Sequence, residues 1–287
     1  MSVDFAAAEQ FMLREARLLE RRRFAWRFRG GTASAVVAAL LPYQNDDGGF
    51  GNALESDLRG ASSQPVPLER ALEILDEVGS WDDSVVQRAC TWLVAATREG
   101  GGVPFVLETV TDGPHAPWWE PTGQAYPNPT AGIAGLLHKY GTEHEWLEPA
   151  TEYLWRALER LDGLGADDAV SVLTFLEHVP DRERAQTAFG KLGERILTEL
   201  VALDPEKPGY VKSPLDYAPH PDAPAQRLFD DATIAAHLDA LEAKQQDDGG
   251  WPITWEPPSV AAVNEWRGYV TLGSLAVLAA YGRPMDT

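Results

Sequence analysis

Cysteine is almost missing from this sequence, and Cys90, the single copy among 287 residues, has no partner for an internal disulfide. That points to a reducing compartment. Basic residues are also scarce, 24 Lys and Arg against 44 Asp and Glu for a formal charge of -20. Phosphate backbones are bound by clustered cations that release counterions, so nucleic acid is excluded as a partner. Long apolar runs are lacking too: Ala35 to Leu41 and Leu272 to Tyr281 fall well short of the roughly 18 to 20 residues needed to span a bilayer. The start, Met1-Ser2-Val3-Asp4-Phe5, has neither the basic nor the apolar region of a secretory signal, so the expected location is the cytoplasm. The one basic cluster, Arg21-Arg22-Arg23 followed by Trp26, Arg27, Phe28 and Arg29, leaves peripheral contact with an anionic membrane surface open. Glu9, Glu15 and Glu20 interleave with it, as on a solvated helix end.

Strand-like alternation is scarce, and apolar residues recur at helical spacing instead. Examples are Val85, Val86, Ala89, Trp92, Leu93 and Ala96, or Trp146, Leu147, Ala150, Leu154, Ala157, Leu158 and Leu161. Asp82 and Asp83, Asn128 with Pro129, Asp167, Asp181 and Asp230 stand where such runs begin and a side-chain oxygen can cap free amides. Gly79, Gly141, Gly163 and Gly282 follow where they end. The expected helices are 4–27, 32–41, 67–78, 82–97, 130–140, 144–161, 167–178, 181–202, 229–244 and 260–281, paired into hairpins. The loops 100–127 and 203–227 are too long for plain connectors and rich in aromatics, which favours an ordered, functional role. With 44% hydrophobic residues, the whole of 1–287 is expected to form one all-α domain.

A repeat runs through this pattern. Gln44-Asn45-Asp46-Asp47-Gly48-Gly49-Phe50-Gly51 returns as Gln245-Gln246-Asp247-Asp248-Gly249-Gly250-Trp251-Pro252, with weaker echoes at Arg98 to Phe105 and Lys207 to Tyr210. The glycines permit positive φ in a tight turn, and the Asp can accept hydrogen bonds from the turn backbone. These segments resemble the glutamine–tryptophan repeats of squalene-hopene cyclases and related terpenoid cyclases, and the glycine-rich turns of protein prenyltransferase β subunits. The resemblance implies an α/α toroid, a closed ring of helical hairpins.

It also implies candidate chemistry. Class II terpenoid cyclases protonate an alkene with the middle Asp of an Asp-x-Asp-Asp motif, which Leu228-Phe229-Asp230-Asp231 resembles with its first Asp replaced. Carried over, Asp230 is the proton donor and Asp231 its partner; the competing reading is that both simply cap the helix they open. The Asp-Asp-x-x-Asp motif of magnesium-dependent synthases is missing at every acidic pair, and Cys90 lacks the neighbouring Asp of a prenyltransferase zinc site. The six histidines show no metal-site spacing either, so neither metal nor other cofactor is expected.

Trp118, Trp119, Glu120 and Tyr126 in one loop, with Trp251, Trp255 and Glu256 in another, combine aromatic faces with carboxylates. Such faces stabilise carbocations or stack on sugars, and also serve as plain packing. Arg59, Lys212 and Arg267 are the candidate cations for a diphosphate or carboxylate, against the alternative of paired surface charges. The primary expectation is therefore a terpenoid cyclase-like enzyme that takes a hydrophobic small molecule, an isoprenoid, in a Trp-lined cavity. A carbohydrate-active toroid using Glu120 and Glu256, and a non-catalytic binding toroid, stand as the alternatives. The sequence leaves the oligomeric state open.

Overall fold

The computed structural model describes residues 3–286. Twelve α-helices account for most of them: α1 (Phe5–Glu15), α2 (Leu18–Phe28), α3 (Ala33–Leu40), α4 (Pro65–Glu77), α5 (Asp83–Ala96), α6 (Pro127–Lys139), α7 (Leu147–Ala157), α8 (Ala166–His178), α9 (Arg182–Arg195), α10 (Pro214–Tyr217), α11 (Asp231–Ala243) and α12 (Val260–Ala280). The only strands among the described residues are β1 (Val3–Asp4) and β2 (Met285–Asp286), a two-residue parallel pair. The protein is all-α, and among the described residues no helix is long and apolar enough to cross a membrane.

The chain divides into two compact units, residues 40–195 and residues 1–39 with 196–287. In the first, α4 with α5, α6 with α7 and α8 with α9 form hairpins, and α6 also packs against both α4 and α8. Every residue from Pro129 to Leu137 is buried, so α6 is covered all round and forms the centre of this unit. In the second unit α12 packs on α1, α2 and α11.

Two expected helices are interrupted, and a third, 144–161, is shorter at Leu147–Ala157. The periodicity of 4–27 predicts one helix, but Ala16 and Arg17 are extended, with ψ of 152° and 162°. The break is tertiary in origin. Ala16 is buried where Gly268 of α12 leaves space for it, and the Arg17 guanidinium closes on the buried Glu20 at 2.7 and 2.9 Å. Similarly, 181–202 becomes α9 plus one wide π turn, Ile196–Leu200.

The repeated turn recurs with the same hydrogen bonds in both good copies. Gln44 Nε2 donates to Gly48 O at 2.9 Å and Gln245 Nε2 to Gly249 O at 3.0 Å, while Asp47 and Asp248 accept from the amides of Gly49 and Gly250. The echo at Arg98 shares the backbone bonds: Asn45 N, Arg98 N and Gln246 N donate to Gly49 O, Gly102 O and Gly250 O. Of the paired glycines, the first holds the positive φ, 94° at Gly48, 104° at Gly101 and 91° at Gly249. Each lies against the backbone of a helix, at Arg88 of α5, Pro149 of α7 and Ala7 of α1. Gly49 and Gly250 are glycines for a different reason, because Ser63 and Trp92, or Phe11 and Arg267, fill the space a side chain would take.

Gly48→Ala, Gly101→Ala and Gly249→Ala should each lower stability by about 2 kcal/mol or more in urea unfolding, from strain and backbone overlap together. Gly209, at φ 93° with open space around it, serves as the control and should lose only about 1 kcal/mol on the same change. Equal losses at Gly209 and Gly249 would show that the contact with the helix contributes nothing.

Candidate functional site: a carboxyl among packed helices

Close packing around α6 depends on two glycines. At Gly135 the α8 backbone of Thr174 and Phe175 comes so near that a methyl group would overlap it. One turn earlier, Gly132 leaves the space in which Glu69 of α4 and Ser171 of α8 meet. A methyl group on Gly132 would overlap Glu69 Oε1. Glu69 is on α4 beside the buried row Leu68, Ala71, Leu72 and Leu75, and Ser171 lies on the buried face of α8 with Asp168, Val172 and Phe175. The Gly132 amide donates to Ser171 Oγ at 2.8 Å, and Ser171 Oγ donates to Glu69 Oε1 at 3.0 Å.

Glu69 is half-buried, with Gly132 of α6 and Ser171 of α8 against its carboxyl. Burial pushes its carboxyl well above the usual range, and the nearby charges of Glu73 and Asp167 push the same way. The Ser171 hydroxyl and Arg70 oppose them and are outweighed. Arg70 is itself engaged by Glu73 at 2.7 Å. Glu69 is thus an acid that retains its proton where an ordinary glutamate has lost it. Asp168 is also raised, chiefly by burial, but its carboxylate accepts from Gly165 N at 2.7 Å and Asn128 N at 3.3 Å and so joins the starts of α8 and α6.

The same unit holds a second unusual segment. Asn52 and Ala53 take positive φ, 55° and 63°, without being glycine. Residues 54–58 behind them are buried, Glu55, Ser56 and Asp57 included. The long loop 100–127 covers this segment: Ala116 N donates to Asp57 O, Arg59 N donates to Pro114 O, and Trp119 packs on Leu58, Val106 and Val110. A recess of about 460 Å³ beside the first repeated turn is lined by Asn45, Asp47, Ser63, Trp92 and Thr109 among others. Asn45, Asp47 and Ser63 are bonded to one another there.

The expected site residues fall into several separate places. Asp230 is exposed and caps α11, its Oδ1 accepting from Thr233 N at 2.7 Å, and that bond holds its carboxyl below the usual range. The proton-donor role is corrected to a cap, because a carboxylate stabilised at a helix start gives up its proton easily. Asp231 is exposed in the first turn of the same helix. Trp251 is fully buried, with Nε1 donating to Leu241 O at 2.7 Å, so it braces the turn rather than walling a cavity. Arg267 is likewise corrected: it grips Asp248 at 2.7 and 2.8 Å and Gln246 at 2.7 Å, with its guanidinium over the Phe11 ring. Its donors thus serve the second repeated turn.

Trp118 is half exposed, and Glu120 and Glu256 are exposed. Tyr126 packs against Phe105 at 4.6 Å between ring centres. Arg59 is half-buried at the end of the 52–59 segment. Trp255 joins Tyr210, Trp266 and Tyr269 in a row of edge-to-face rings 5.1 to 5.8 Å apart. Glu69 and Ser171 were missed by sequence reading. The available signal was a carboxylate bordering the apolar stripe of α4 in Pro65-Val66-Pro67-Leu68-Glu69-Arg70.

No family model matches the chain, and neither does any curated protein. The chain is similar to a crystal structure of a protein from Actinoplanes, at 19% identity over 96% of this chain and 89% of that one, with a TM-score of 0.55. That likeness is one of fold.

A raised Glu69 makes stability depend on pH with a definite sign. The folded state holds a proton that the unfolded chain releases above the ordinary value of 4.5. Stability from this site is therefore full below that value and declines as pH rises toward the folded value. Glu69→Gln should remove the decline, so its melting temperature should exceed that of the wild type by a margin that grows from about pH 5 upward. A margin constant from acid to alkaline pH would mean that Glu69 titrates normally.

Proposed function

We propose that the chain is an α/α toroid enzyme of the terpenoid cyclase kind that protonates an isoprenoid alkene, with Glu69 as the acid in place of Asp230. The observation that supports this reading is Glu69 itself, a carboxyl set between α6 and α8, touched by the Ser171 hydroxyl and pushed well above the usual range by burial and by two neighbouring acidic groups. Proton-initiated cyclisation needs a carboxylic acid that gives up its proton at higher pH than an ordinary carboxylate, and the Glu69 carboxyl is shifted in that direction while the Asp230 carboxyl is shifted the other way. The proton leaves the Glu69 carboxyl for one alkene carbon, the π electrons form the new C–H bond, and the other carbon becomes cationic. The repeated turns, present three times in backbone form, support the toroid.

The test is incubation with linear isoprenoids, with and without a diphosphate, followed by mass spectrometry for cyclised products. Wild type should form product, Glu69→Gln should lose at least a hundredfold in turnover while keeping its fold, and Asp230→Asn should stay within a few fold of wild type. Turnover that survives in Glu69→Gln, or no product from wild type with any of these substrates, would overturn the reading.

A further inference from the structure

The Glu69 carboxyl has two oxygens, and its surroundings treat them differently. Oε1 lies against the α6 backbone at Gly132 and contacts Ser171 Oγ at 3.0 Å. Ser171 Oγ is in turn approached by the Gly132 amide, which has only a hydrogen to offer. One oxygen lone pair of the hydroxyl is therefore spent on Gly132, and its single hydrogen is directed to Glu69. Ser171 and Glu69 are 102 residues apart, so the three-atom chain exists only because α4, α6 and α8 pack together.

We propose that Ser171 is a positioning residue that assigns the acid proton of Glu69 to Oε2. Its hydroxyl donates to Oε1 in both charge states, so Oε1 stays an acceptor and the exchangeable proton rests on the other oxygen. After the proton departs, the same hydrogen bond stabilises the carboxylate left behind. The inference rests on the reading of Glu69 as the acid, and it adds that the direction of proton delivery is set by Ser171 and by the absence of a side chain at Gly132. The charged groups that act on Glu69 are Glu73 and Arg70 on its own helix and Asp167 on α8, and from α6 the uncharged Gly132 lies against its Oε1. None of them is removed by changing Ser171.

The sign of one shift decides the matter. In protein labelled with side-chain 13C glutamate, the Glu69 carboxyl signal is the one missing from Glu69→Gln, and it can be followed against pH without any substrate. A hydroxyl that donates to the carboxylate favours the charged form, so Ser171→Ala should move the midpoint to higher pH. Ser171→Thr, which keeps the hydroxyl, should restore it. Ser171→Cys, a weak donor of similar size, should give a partial rise and serves if the alanine variant fails to fold. With isoprenoid substrate, the alkaline limb of the rate profile should move in the same direction and kcat should fall, with KM little changed.

A midpoint that falls in Ser171→Ala or Ser171→Cys would mean the hydroxyl accepts from protonated Oε1, and it would overturn the assignment. An unchanged midpoint would also overturn it, by showing that the hydrogen bond has no influence. Both differ from failure of the Glu69 reading, which would show as an ordinary glutamate midpoint in the wild type.

Discussion

The repeated turn pressed against a neighbouring helix is the constraint on which the remaining architecture depends. A glycine at positive φ lets the chain reverse, and the absence of a side chain lets that reversal touch the backbone of α5, α7 or α1. The glutamine of the good copies spans the contact: Gln44 Nε2 reaches Val85 O of α5, and Gln245 exchanges two hydrogen bonds with Asp4, the cap of α1. Backbone groups that a loop would otherwise leave unsatisfied are thereby paired.

Polar groups inside the unit of residues 40–195 sort into two kinds. Asp168 and Thr130 are buried and serve backbone amides or carbonyls, which accounts for them structurally. Glu69 has no comparable task. It accepts from one serine, stands beside two other acidic residues, and has its carboxyl pushed well above the usual range. A half-buried carboxyl with a raised proton affinity and a single side-chain hydrogen bond is a functional candidate on physical grounds.

The acidic pairs show the reverse case. Asp82 caps α5 through Ser84 and Val85, Asp230 caps α11 through Thr233, and Asp248 is held by Arg267. Each has its carboxyl pushed below the usual range by those bonds. Adjacent aspartates in this chain therefore mark helix starts and turns. At Asp82, Asp230 and Asp248 those short-range hydrogen bonds favour the charged form, whereas burial outweighs them at Asp168.

What the sequence alone determined was whatever depends on neighbours within a helical turn or two. Periodicity, capping aspartates and terminal glycines located most helices to within a few residues, and the Gln-x-Asp-Asp-Gly-Gly motif located two of the three equivalent turns. The third, at Arg98, kept its glycines and lost the Gln and Asp, so the sequence shows it only as a weak echo and its backbone bonds establish the equivalence. Tertiary structure decided the rest. The break at Ala16 exists because Gly268 receives that residue, Arg267 is occupied because Asp248 faces it, and Trp251 is buried because Leu241 O accepts its indole hydrogen. The raised proton affinity of Glu69 has the same origin: desolvation among packed helices dominates it, Glu73 and Asp167 add to it and the Ser171 hydroxyl opposes it, and of these only Glu73 is near in sequence.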